Sequence, residues 1–386
     1  MVIIGAGACG CTTAYYLAQA GLSVALVDRS QVGQEASWAS AGMIGPESCP
    51  LRDPWFTLAT TLSRTLYDQL EAELYDRTGR RVGYGGQGHL VIARRQEELN
   101  ELAACIQQQH GGGIAVQRLD ASEARQHEPA LPEDVMEAAW MPEGRFLDAR
   151  QFTATIGAAA SQLGVHVHEG RDVTGLIRQG GRIIGIATGH ETLHAGTVIN
   201  AAGAWAGRID PNLSHPVFPL HGQIMSVAGL ACGLRHNVSR AGVWGYVTPR
   251  SDGRVVVGAT HEEWGYVKKV TPDGLAYLGQ IVRRVLPALS GQPVLDVWSG
   301  LRPGTIDGLP TIGPDPRVDG GYLWAAGHSS AGMMQIPATA KVLVDLVMQR
   351  KPVLSIEQLS IQRYLDAGPV TVAEPLKRVT KRFMSA

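Results

Sequence analysis

The first thirty residues constrain this chain more than any other part of it. They read Val2-Ile3-Ile4-Gly5-Ala6-Gly7-Ala8-Cys9-Gly10, then a helical stretch to residue 20, then Gly21-Leu-Ser-Val-Ala-Leu-Val27 and Asp28. The order is strand, glycine-rich turn, helix, second strand, acid. Each glycine has a separate task in such a unit. Gly5 permits the tight turn, Gly7 lets the backbone approach a pyrophosphate, and Gly10 lets the helix lie close to the strand. The unpaired N–H groups and positive dipole end of the helix then face phosphate. Asp28 follows Gly7 by 21 residues, the distance at which a carboxylate accepts hydrogen bonds from ribose hydroxyls. The segment therefore predicts a dinucleotide-binding unit.

The rest of the composition suits an enzyme that buries such a ligand. A chain of 386 residues with 45% hydrophobic and 18% charged residues is expected to form about two folded domains. A net charge of −1 supplies no broad field for nucleic acid or anionic membrane. The basic tail Lys377, Arg378, Lys381 and Arg382 reads as a solvated end. Five cysteines (Cys9, Cys11, Cys49, Cys105, Cys232) include no Cys-x-x-Cys pair, so no metal site is expected. Their scattered placement, the lack of a basic leader before Arg29 and the lack of a long apolar run point to a cytoplasmic protein without a membrane span.

Beyond Asp28 the chain does not continue as a regular βαβ array. Residues 34–46 are small and without periodicity. Leu58, Leu62, Leu66, Leu70 and Leu74 mark a helix over 56–78, and 95–109 gives another. The run 85–93 reads as a turn into a strand. Asp148 is a candidate N-cap with Gln151 completing a capping box, ahead of a helix to about residue 163. Strands are predicted at 165–168, 182–187, 192–199, 223–227, 245–249, 255–258, 294–298 and 322–326. Helices are predicted at 272–286 and 337–349, with a glycine-rich loop from 301. The expected fold class is α/β, a Rossmann-like nucleotide domain interleaved with an antiparallel-sheet substrate domain. The first takes residues 1–50, 145–215 and 301–350, the second 51–144 and 216–300, and 351–386 form a C-terminal extension.

Five segments in this order carry a resemblance: residues 5–28, 37–46, 198–205, 300–313 and 327–334. Together they resemble the FAD-dependent D-amino-acid oxidase superfamily, most closely its glycine oxidase branch, with sarcosine oxidases and D-amino-acid dehydrogenases as relatives. The resemblance covers about residues 1–350. It implies non-covalent FAD lying extended across the nucleotide domain, beneath an antiparallel sheet that closes the substrate pocket. It further implies oxidative deamination of a small amino acid or amine, with O2 or another electron acceptor; a homo-oligomer is left open. A dehydrogenase serving a quinone or partner subunit, and a non-catalytic flavin subunit, stay as alternatives.

The residues implied at the cofactor are Gly5, Gly7, Gly10, Asp28, Arg29, Ser37, Ser40, Ala41, Gly42, Met43, Val173, Ala202, Gly203, Gly300, Arg302, His328, Ser329, Ala331, Gly332 and Met333. Backbone N–H groups at 307–310 and 327–332 are expected near the flavin's pyrimidine end, where charge develops on reduction. On the substrate side stand Arg302, Tyr246, His261, Trp244 and Ser330. Arg302 lies among apolar and small residues, where a guanidinium needs an anion and suits a carboxylate. A structural ion pair is the other reading of Arg302, a core aromatic that of Tyr246, and a locally satisfied imidazole that of His261. No catalytic acid or base is assigned, because positioning and the flavin carry the chemistry. Two positions depart from the glycine oxidase pattern. Ser330 stands where an arginine is usual, and Cys49, near Glu47, where a small acid is common. Both limit the carry-over, and the cation lost at Ser330 favours a bulkier or N-substituted amino acid, or an amine presented by a biosynthetic pathway, over glycine.

Overall fold

The computed structural model describes residues 1–45, 53–86, 88–229 and 231–367. Gln87, Leu230, the segment holding Glu47 and Cys49, and the basic tail lie outside the described residues.

Two large sheets organise the chain. The first has six strands in the order 311–314, 322–326, 198–200, 2–4, 25–27, 166–168. Its four inner pairings are parallel, and Thr311–Pro314 closes one edge antiparallel to Tyr322–Ala326. Strands buried on both faces read as continuous apolar runs, which is why Val2–Ile4, Val198–Asn200 and Tyr322–Ala326 are buried throughout. The second sheet has eight strands, in the order 294–304, 218–228, 254–258, 243–249, 237–240, 89–93, 137–141, 117–120. All its pairings are antiparallel except that between Asn237–Arg240 and His89–Ala93. A three-stranded sheet (Val173–Gln179, Arg182–Thr188, Thr192–His194) stands apart. Among the described residues no helix is long and apolar enough to cross a membrane.

The helix Ala8–Gln19 packs between Ala149–Gln162 and Gly332–Val347. Gly10 makes this close approach possible, since a Cβ there would overlap the carbonyl oxygen of Gly5. Gly5 itself has φ +102°, a conformation reserved for glycine. The expected helix over 56–78 runs from Pro54 to Thr78, started by the Asp53 side chain, which accepts from Trp55 N at 2.8 Å. Leu66, Leu70 and Leu74 are buried but Leu58 is 55% exposed. A four-residue repeat drifts by about 40° per step around a helix, so one end of the leucine row leaves the core.

Four expectations need correction. The single strand at 192–199 is two, Thr192–His194 in the small sheet and Val198–Asn200 in the large one. The strand predicted to end at residue 298 continues to Gly304, because residues 218–222 supply an antiparallel partner. Arg302 is therefore paired opposite Leu220 inside a strand, not in a loop. The helix expected to begin at Pro337 begins at Gly332 and contains the proline. A proline cannot donate to the carbonyl four residues back; here the Tyr67 hydroxyl donates to that Met333 carbonyl at 2.6 Å, while the next N–H, of Ala338, donates to Ser63 Oγ at 3.1 Å. Asp148 does cap its helix, accepting from the N–H groups of Arg150 and Gln151 at 3.0 Å, but the Gln151 side chain returns to the Asp148 carboxylate instead of its backbone. A reciprocal capping box forms at Asp120 and Glu123 instead.

Candidate active site

A cavity of about 580 Å³ runs between the two large sheets. Its nucleotide end is built by the opening motif. The Asp28 carboxylate, at the end of its strand, accepts from Ala6 N at 2.7 Å and Ser30 N at 2.8 Å. Burial raises its pKa, and those two N–H groups oppose the rise. Gly7 lies at the start of the helix, where a Cβ would meet only Ser37 Oγ, at 3.2 Å. Ser37 Oγ in turn accepts from Ala8 N at 2.9 Å. Arg29 packs its guanidinium over the Trp205 ring at 3.8 Å and pairs with Glu35 at 2.9 Å.

The small-residue loop after this helix is fixed through its carbonyls. Trp38 O accepts from Arg150 Nε at 3.1 Å, Ala39 O from Trp298 Nε1 at 3.1 Å, and Ala41 O from the Arg250 guanidinium. Arg150 also stacks on Trp38 at 3.6 Å. Ser37, Ser40, Ala41, Gly42 and Met43 thereby line the cavity. Nothing in the sequence singled out Arg150, Arg250 or Trp298, because a backbone carbonyl leaves no residue-type signature for its donor.

Arg302 lines the other end, on the eight-stranded sheet. Its Nη1 donates to the carbonyls of Thr260 at 3.3 Å and His221 at 3.4 Å. No carboxylate among the described residues pairs with it. Burial lowers its pKa, with Tyr246 and Glu262 pulling the other way. Burial alone would raise the half-buried Glu262 carboxylate behind it, but the polar side chains around it, with Trp264 Nε1 donating at 2.6 Å and Gln223 Nε2 at 2.8 Å, bring it to about 2. Tyr246 projects over Gly258, and burial raises its pKa, so it is a neutral phenol. Burial and then the Arg302 charge bring His261 to about 4. His328 is brought to about 4 by burial, and its Nε2 lies 3.0 Å from Thr339 Oγ1. Both imidazoles are neutral at physiological pH.

Most candidates meet in this one cavity, but not all. Gly10, Ala331 and His261 do not line it. Gly10 packs helix against strand, and His261 stacks edge-on against Trp244 with centroids 5.9 Å apart. Trp244, Tyr246, Val173, Ala202, Gly203, Gly300, His328, Ser329, Ser330, Gly332 and Met333 do line it. The expected loop at 307–310 is elsewhere: Asp307 accepts from Arg363 Nε and the Tyr364 hydroxyl, each at 2.7 Å. The start of the C-terminal extension holds that loop away from the cavity. His89, Ser239 and Gly222 line the cavity and were not anticipated.

Gly222 has a particular consequence. A Cβ there would overlap the Arg302 guanidinium. Gly222→Ala is expected to displace that side chain, raising KM about tenfold or more while FAD content stays unchanged. Steady-state kinetics beside a flavin absorbance ratio would check this, and an unchanged KM would show that the guanidinium binds nothing in the reaction.

The fold and cavity define a dinucleotide-binding oxidoreductase with a sheet-covered pocket. The donor set at the helix start, the acid at the second strand and the open side of Gly7 fit an FAD diphosphate and ribose. The chain belongs to the DAO family of FAD dependent oxidoreductases, whose model matches residues 1–346. It is 31% identical to the glycine oxidase of Pseudomonas aeruginosa over 92% of this chain and 96% of that protein. Among solved structures it resembles glycine oxidase from Geobacillus kaustophilus, at a TM-score of 0.88, 29% identity, and coverage of 94% of this chain and 98% of the other. It also resembles iminodiacetate oxidase from a Chelativorans species, at a TM-score of 0.83, 28% identity, and coverage of 93% and 98%.

Proposed function

We propose that this enzyme oxidises the amine of an α-amino acid larger than glycine, or of an N-substituted relative, with the substrate's carboxylate on Arg302. The observation that carries the reading is a half-buried guanidinium that, among the described residues, is held only by two carbonyls and is turned on the cavity. A carbonyl leaves the positive charge uncompensated, and a planar fork suits a carboxylate. The Tyr246 hydroxyl donates a second hydrogen bond to that carboxylate. The chemistry that non-covalent FAD would supply when bound is acceptance of hydride from the substrate's Cα–H; the nitrogen loses a proton, and water hydrolyses the resulting imine to an oxo acid and ammonia, or an amine where the nitrogen is substituted. The chain's task is to hold that carbon in place and keep bulk water out. His328 and His261, both neutral, add no cation to compete for the carboxylate. In this reading dioxygen is the acceptor and hydrogen peroxide the coproduct.

The division into an FAD-binding part (1–50, 145–215, 301–350) and a substrate-binding part (51–144, 216–300) belongs to the same reading. The membership of the two large sheets supports it. Similarity to an iminodiacetate oxidase supports an N-substituted substrate. Anaerobic mixing of the holoprotein with α-amino acids and N-substituted glycines is expected to bleach the flavin, and admitting air to yield peroxide. Bleaching by none of them would overturn the proposal; bleaching without peroxide would make the protein a dehydrogenase.

Ser330 sits exposed at the cavity edge. Ser330→Arg is expected to raise the kcat/KM ratio of glycine over the best larger substrate by a few-fold. The gain is held to that scale because an added cation also loses hydration. A wild type that already prefers glycine would remove any specificity role from this position.

A further inference from the structure

Tyr246 and Ser239 are directly opposed on neighbouring strands, so their side chains share one face of the eight-stranded sheet. Ser239 lines the cavity on the side of Tyr246 away from Arg302, and so does His89 on the next strand. His89 is 3% exposed, and its Nε2 lies 2.8 Å from Ser239 Oγ. Its Nδ1 is buried with no hydrogen-bond partner. Burial brings the imidazole to about 4, so the ring is neutral and carries one proton. A buried N–H without an acceptor is a costlier orphan than a bare lone pair. The proton therefore sits on Nε2, which donates to Ser239 Oγ. With that oxygen already accepting, the Ser239 hydroxyl proton is left to donate, and its remaining neighbour is the cavity.

We propose that Ser239, oriented by His89, forms a second polar subsite that receives an acceptor oxygen at the far end of the substrate. The inference rests on the reading of Arg302 as the carboxylate anchor and deepens it. The substrate class is then an amino acid with a distal carboxylate or carbonyl, bound at one end by Arg302 and at the other by Ser239. The span is set by the sheet. The Arg302 guanidinium lies over Gly222 and the Tyr246 hydroxyl over Gly258. Ser239 stands three strands beyond Gly222. Strands are spaced by about 4.8 Å, so Ser239 lies on the order of 14 Å from the guanidinium. A chain of about four methylenes between two carboxylates, as in adipate, bridges such a gap once the two contacts themselves are allowed for.

Redox-inert ligands test this without turnover. Succinate, glutarate and adipate are titrated into the oxidised holoprotein beside propionate, butyrate, valerate and hexanoate, and the flavin spectrum is followed. One dicarboxylate is expected to bind about tenfold or more tightly than the monocarboxylates, the scale of a hydrogen bond to a charged acceptor. In Ser239→Ala that advantage should vanish while monocarboxylate affinity holds. In His89→Phe, which cannot orient the hydroxyl, it should fall in part. Monocarboxylate binding that needs Arg302, with no dicarboxylate preference or with one that survives Ser239→Ala, would overturn this inference and leave the Arg302 reading intact. Failure of every carboxylate to bind, or binding unaffected by Arg302→Ala, would overturn both.

Discussion

Arg302→Ala is expected to lower kcat/KM by about 10²-fold or more while leaving the flavin content near wild type. A charge-assisted bidentate pair contributes roughly 3 kcal/mol, which corresponds to that factor. The surroundings of Arg302 make the experiment clean. Its guanidinium contacts two backbone carbonyls and no carboxylate among the described residues, so truncation leaves no protein charge buried without its partner. Arg302→Lys keeps the charge and loses the fork, and should fall between the two. The readout is kcat/KM for the substrate that bleaches the flavin fastest, beside the flavin-to-protein absorbance ratio and a thermal melt. Full activity in the alanine variant, or loss of the folded protein, would return Arg302 to a structural role.

Gly7→Val is expected to give a folded but colourless protein. Purified wild type should be yellow and release its flavin on denaturation. Gly7 has φ −73°, which any residue adopts, and its Cβ position is open except for Ser37 Oγ at 3.2 Å. Added methyl groups there would stand where the diphosphate approaches the helix end. Gly10→Val is the informative contrast, since its Cβ would overlap the Gly5 carbonyl oxygen. Forcing backbone apart in a packed interior costs about 3 kcal/mol or more. Absorbance at the flavin band with circular dichroism melting separates the two variants. Retention of FAD by Gly7→Val would remove the opening motif from the cofactor site.

Much of the nucleotide end was legible because its signals are local. Strand, turn, helix and acid follow within 28 residues. Gly5 is required by its own φ of +102° and Gly10 by a contact with Gly5, five positions away, and Asp28 bonds back to the turn it follows. Arg302 was legible for another reason: an arginine among small and apolar neighbours announces a buried charge. Its position inside a strand was not, because that depends on residues 218–222 pairing with it from about 80 positions away. The helix start at Gly332 was hidden similarly, since the proline signal was overridden by hydroxyls of Tyr67 and Ser63 on a distant helix.

The sequence by itself determined the dinucleotide-binding unit, the alternation of helix and strand, and the residue types able to hold a phosphate or a carboxylate. Periodicity, turn chemistry and capping act over a few residues, and a single chain displays them in order. Only the tertiary structure decided which of those residues share a cavity. It left Ala331 and His261 off the lining, tied Asp307 to Arg363 and Tyr364, and set Ser239 and His89 beside Tyr246. These outcomes depend on sheet register and on side chains of remote segments meeting. Register is fixed by packing between such segments, so neither can be read from residue types along the chain.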